Sequence, residues 1–96
     1  MVTTVRNSER RPTHPGAILR EDILPALGIS QTELAQRLDV SRLTVSELVL
    51  EKRRLTPNMA KKLAALLNTT PESWLRMQAA LDLWEFHSAR SMESHG

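Results

Sequence analysis

Apolar residues recur every three or four positions from Ile18 to Phe86, and polar capping residues cut that pattern into five helical segments. Ile18 and Leu19 mark the inner side of a first helix running from about His14-Pro15 to Leu24. Pro25 should end it, because proline disfavours helical backbone in the residue before it, and Gly28 marks the following turn. Ser30-Gln31-Thr32-Glu33 has the form of a capping box, with the Ser30 hydroxyl facing the Glu33 amide and the Glu33 carboxylate reaching back. A second helix therefore begins at Gln31 and buries Leu34, Ala35 and Leu38. It closes at Asp39, whose short side chain tolerates left-handed backbone. Ser41 caps a third helix, Arg42 to about Leu50, with Val45, Leu48 and Val49 inward. Thr56-Pro57 and Thr70-Pro71 each place a hydroxyl before a proline at the first helical position, where a missing N–H costs nothing. Met59, Leu63, Leu66 and Leu67 then pattern a fourth helix, and Trp74, Met77, Leu81 and Trp84 a fifth that extends to about Arg90.

Composition narrows the class. A chain of 96 residues holds one domain, with 41% hydrophobic residues to build its core; three glycines, no tyrosine and one phenylalanine leave little for strands. The expected fold is all-α. Without cysteine there are no disulfides, thiolate metal sites or cysteine nucleophiles, and no run of about 18 apolar residues suggests a membrane span. A cytoplasmic protein is expected. His14, His87 and His95 lack companions at ligand spacing, so they read as capping or exposed residues; no metal or cofactor is expected. Glu21 and Asp22, adjacent on a helix, diverge by about 100° and cannot work as a catalytic pair. An enzyme is not indicated. The domain should span residues 13–90, between a flexible polar arm at 1–12 and a disordered tail at 91–96.

The net charge of +2 is unevenly spread: residues 31–62 carry about +3 and residues 71–96 about −2. This basic middle spans the second and third helices and draws its excess from Lys52-Arg53-Arg54 and Lys61-Lys62, which follow them. Their short turn, the small Ala35 where the backbones must approach, and the apolar set Leu34, Leu38, Val40, Val45 and Leu48 together describe a helix-turn-helix. The third helix is then the one presented to the DNA major groove. Its outward residues are Arg42, Leu43, Thr44, Ser46, Glu47 and Leu50. Arg42 can read guanine bidentately, Leu43 can pack on a thymine methyl, and Thr44 and Ser46 can serve bases or phosphates. Glu47 needs a cytosine amine or a partner, for which Arg42 is the candidate. Gln31, Ser41, Lys52, Arg53 and Arg54 are placed to meet phosphates, with solvated surface as the alternative for the cations.

The fifth helix carries a second apolar stripe, Leu75, Ala79, Leu83 and Phe86, more than one core can cover. A twofold homodimer through Leu81, Leu83, Trp84 and Phe86 would space two recognition helices about 34–36 Å apart, as a palindromic double-stranded operator requires. A thicker core without a dimer is the alternative.

Five stretches carry a resemblance to a known family. They are His14-Pro15-Gly16-Ala17-Ile18-Leu19 with Glu21, Leu27 to Ala35, Val40-Ser41, Lys52 to Pro57, and Trp74-Leu75-Arg76-Met77-Gln78 leading to Asp82-Leu83-Trp84. The chain resembles the Cro/repressor-type helix-turn-helix proteins over about residues 14–84 and, within them, the HigA (VapI-like) antitoxins. Asp39 departs from the glycine usual in that turn. The resemblance implies a five-helix, lambda-repressor-like fold, repression of the chain's own operon, and neutralisation of an mRNA-cleaving HigB/RelE-like toxin. A toxin with a basic surface would meet acidic residues, and Glu9, Glu21 and Asp22 near the first helix are the candidates. A regulator without a toxin, or a helical interaction module, remains open at this point.

Overall fold

The computed structural model describes residues 10–95, with side chains described through Ala89. Five helices follow in order. The first, α1, spans residues 15–27 as Pro15–Ile18, Leu19–Ile23 and Leu24–Leu27 end to end; α2 is Gln31–Leu38, α3 Arg42–Val49, α4 Pro57–Leu67 and α5 Pro71–His95. No strand occurs among the described residues.

Pro25 does not end α1 at Leu24, contrary to the rule applied to the sequence. Having no N–H, proline cannot bond the carbonyl four residues back, and its ring crowds that carbonyl. The chain absorbs it by widening one turn, so that the Leu24 N–H donates to the Leu19 carbonyl five residues back. The helix stops instead at Gly28, φ 65°, whose N–H reaches the carbonyls of Leu24 and Pro25 at 2.9 and 3.2 Å. The α5 backbone likewise runs on to His95, past the end near Arg90 that the apolar pattern gives.

The predicted caps form. Ser30, Ser41, Thr56 and Thr70 each accept, through the side-chain oxygen, the amide three residues on, at 3.0–3.2 Å. The capping box is one-sided: the Glu33 carboxylate turns away from Ser30 to Arg37, 2.7 Å away and one turn further along α2. Asp39 takes φ 57°, and the N–H groups of Asp39 and Val40 fold back on the carbonyls of Gln36 and Ala35. This αL closure lets an eight-residue helix turn directly into the next with both apolar faces inward.

Leu34, Ala35 and Leu38 of α2 meet Val45, Leu48 and Val49 of α3 in one core with Leu19, Leu55, Met59, Ala60, Leu63 and Trp74. Burying each large aliphatic side chain contributes about 1.5–3 kcal/mol. Gly16 brings α1 against α3, because a Cβ there would lie 1.7 Å from the Leu48 carbonyl oxygen. The first helix thus acts as a clamp on the back of α3. On α5 the inward stripe is Trp74, Gln78 and Leu81. Leu81 is 1% exposed and buried within its own chain, which removes it from the expected dimer interface. Leu81 shares the stripe of Trp74, and that is the stripe α5 turns to its own core.

Candidate nucleic-acid interface

The short turn at Asp39-Val40-Ser41 packs α3 across α2 and turns one side of α3 to solvent. Arg42 and Leu43 are exposed, Leu43 at 64%; Thr44, Ser46 and Glu47 are half-buried on the same helix, and Leu50 is exposed just past its end. At that exposure Leu43 is no part of the core. The expected base-contacting residues therefore all lie on one eight-residue helix, with Leu43 and Glu47 on the side away from the buried Val45, Leu48 and Val49 and Arg42 exposed in its first turn.

At the start of this helix the hydroxyls of Ser41 and Thr44 lie 2.8 Å apart. One O–H of the pair serves the other, which leaves the second free to donate outward. Gln31, half-buried, opens α2.

Glu47 does not pair with Arg42. Five residues of helix amount to about 500° of rotation, so the two side chains leave the axis some 140° apart. The partner is Arg53, whose Nε and Nη2 both donate to Glu47 Oε1 at 3.1 and 2.8 Å. Arg53 reaches back because Glu51, φ 63°, reverses the chain after α3, with the Lys52 N–H on the Glu47 carbonyl at 2.8 Å. Arg54 is bonded to Asp82 of α5. Of the three cations expected at phosphates, Lys52 is exposed, while Arg53 and Arg54 already hold carboxylates.

Behind this surface is a polar frame that local patterns do not show. His14, 3% exposed, accepts the Gly16 N–H on Nδ1 at 2.9 Å, so its Nε2 carries the proton and donates to the Arg53 carbonyl at 3.1 Å. Gln78 accepts the Leu55 N–H at 2.7 Å and donates to Asp82 at 2.8 Å. The loop after α3 is thus pinned from both sides. Arg20 of α1 donates to the Val49 carbonyl at 2.6 Å and pairs with Glu51, closing the C-terminal end of α3. Arg11, in the segment expected to be a flexible arm, also binds Glu51, at 3.2 Å, and reaches Glu85 at 3.8 Å.

Burial pushes the Glu51 carboxyl up, but hydrogen bonds from Arg11 and Arg20 outweigh it and hold the group below its ordinary value. At Asp82 burial acts the same way and is outweighed by Gln78 and Arg54. Both groups stay charged. Of these frame residues only Gln78 had a visible signal, a polar side chain on the inward stripe between Trp74 and Leu81.

Glu21 and Asp22 are exposed on α1, Glu21 paired with Arg20 at 2.8 Å. Glu9 lies outside the described residues. Leu83 and Phe86 on α5 are 58% and 54% exposed, and Trp84 is half-buried. Among the described residues no group of His, Cys, Asp or Glu could hold a metal ion, and no helix is long and apolar enough to cross a membrane.

Comparison with known proteins gives a consistent result. The helix-turn-helix family profile matches residues 19–75. The chain is 45% identical to an uncharacterized HTH-type transcriptional regulator of Haemophilus influenzae, covering 88% of this chain and 80% of that one. It is 43% identical to antitoxin HigA-1 of Vibrio cholerae, covering 84% and 76%. Its fold is similar to that of Pseudomonas aeruginosa antitoxin HigA, solved with the higBA promoter, at a TM-score of 0.82 and 35% identity over 86% of this chain and 90% of that one. On these similarities the chain belongs to the helix-turn-helix family, in the branch of the HigA antitoxins and not among enzymes.

Proposed function

We propose that this chain is a cytoplasmic operator-binding antitoxin that represses its own operon as a homodimer and neutralises an mRNA-cleaving HigB/RelE-like toxin. The observation that carries the DNA half is the exposed face of α3, led by Arg42 and Leu43, on a fold matching a HigA solved with promoter DNA. Arg42, Leu43, Thr44, Ser46 and Glu47 face bases, while Gln31, Ser41, Lys52 and Arg54 meet backbone phosphates. For Arg54 this requires exchange of an exposed carboxylate for a phosphate, a small difference because such surface pairs contribute only about 0–1 kcal/mol.

Arg42→Ala should lower affinity for a selected duplex by about 1–3 kcal/mol and relax preference at one base pair of each half-site. Equal weakening on every sequence, with a shallower salt dependence, would assign Arg42 to the phosphates instead.

The toxin half is supported by the antitoxin relatives and by the acids exposed on α1. We place the toxin on the N-terminal segment and α1, with Glu9, Glu21 and Asp22 as contacts, because this leaves the recognition face open. Reversing the charges of Glu21 and Asp22 should slow capture of the toxin encoded beside this gene and make it strongly salt-dependent, with DNA binding unchanged. Neutralisation equal to the parent's would move the docking surface to α5. The second reading, a regulator without a toxin, accords with the name of the Haemophilus relative, an uncharacterized HTH-type transcriptional regulator. A neighbouring frame whose product is not captured by this chain would decide for it.

A further inference from the structure

The pair between Glu47 and Arg53 points to a specificity element. A bare carboxylate on a major-groove face is repelled by phosphates, yet Glu47 stands on the outer side of α3 among the residues proposed to meet bases. The structure neutralises it without using it up. Both Arg53 donors converge on Oε1, at 3.1 and 2.8 Å, so Oε2 is not engaged by Arg53. Arg53 is itself held: the His14 Nε2–H fixes its carbonyl, and two residues on Gln78 fixes the Leu55 amide. The guanidinium is thus delivered from a pinned loop.

We infer that Arg53 is a positioning residue that orients Glu47 to accept from an exocyclic amine on a base edge, rather than a clamp on the DNA backbone. This inference rests on the operator-binding reading of α3. In the major groove only cytosine N4 and adenine N6 offer an N–H, whereas guanine N7 and O6 and thymine O4 are acceptors. A carboxylate held there favours an amine-bearing base and rejects guanine or thymine at the same place on that strand. Were Arg53 to leave for a phosphate, the Glu47 charge would remain unpaired beside the polyanion. The pair is therefore more useful to the complex intact than exchanged.

The test is selection of binding sites by the full-length protein from a random duplex library, repeated with Glu47→Gln, Arg53→Ala, Arg53→Lys and the Glu47→Gln/Arg53→Ala double variant. The parent should enrich cytosine or adenine at one position per half-site, by on the order of tenfold over guanine or thymine. Arg53→Ala should erase that preference and leave the slope of binding against salt unchanged. Lysine restores a charge but not the two-pronged grip, so Arg53→Lys should not rescue it. The double variant should be no worse than Arg53→Ala. Equal weakening on all sequences, a salt slope reduced by about 1 and rescue by lysine would overturn the inference and make Arg53 a phosphate contact. Enrichment by the parent with no amine-bearing preference would also overturn it. If the parent enriches no sequence at all, the operator-binding reading itself fails, and thermal melts of the four variants confirm that each is folded.

Discussion

A Gly16→Ala variant should melt on the order of 15 °C below the parent, from a loss of about 3 kcal/mol. The new Cβ would sit 1.7 Å from the Leu48 carbonyl oxygen and 2.7 Å from its carbon. Both are backbone atoms of the recognition helix, so no side-chain rotation relieves the clash. Helix α1 would have to lift off α3, and it is tied there by Leu19 in the core, the His14 hydrogen bond to the Arg53 carbonyl and the Arg20 hydrogen bond to the Val49 carbonyl. Moving α1 therefore loosens both the end of α3 and the loop after it, and DNA binding should fall along with stability. Gly28→Ala is the control. That residue has φ 65° but nothing within 4 Å of a built Cβ, so the cost is only left-handed backbone strain, about 1–2 kcal/mol. If calorimetry places the two variants at the same melting temperature, the α1–α3 approach is not the tight contact described above.

Gly16 also shows where sequence reasoning reaches and where it stops. The caps at Ser30, Ser41, Thr56 and Thr70 were legible because hydroxyl and amide are three residues apart, and the αL closure at Asp39 because a single side chain allows it. The buried and exposed faces of α2 and α3 followed from helical period. The frame that aims the DNA-facing surface was not legible, since Arg20 and Val49 are 29 residues apart, His14 and Arg53 39, and Leu55 and Gln78 23. Helix geometry could have ruled out the Arg42–Glu47 pair, but the partner Arg53 depends on a chain reversal at Glu51, where an ordinary glutamate takes φ 63°. Its left-handed backbone is supported by the ion pairs with Arg11 and Arg20. Pro25 misled because the rule treats proline as an end, whereas a single widened turn carries α1 past it.

Glutamates at Leu83 and Phe86 together should leave a folded monomer and weaken operator binding by about a hundredfold or more, whereas Leu81→Glu should unfold the chain. The difference follows from burial. Leu81 is 1% exposed, and replacing a buried leucine even by alanine costs about 2–5 kcal/mol before any charge is desolvated. Leu83 and Phe86 are 58% and 54% exposed, so a charge at either site stays in water in the isolated chain. In a twofold dimer formed through this face each glutamate would meet the partner's apolar surface and its own symmetry copy, and the pairing would fail. Two recognition helices that engage adjacent half-sites as one unit gain about 10² to 10⁴ over either alone, which is the affinity the monomer forfeits. Light scattering for the oligomeric state, circular dichroism for the fold and mobility shift for DNA separate the contributions. A double variant that remains dimeric would place the interface on another face. One that becomes a monomer but holds its operator as tightly as the parent would show that a single recognition helix is sufficient.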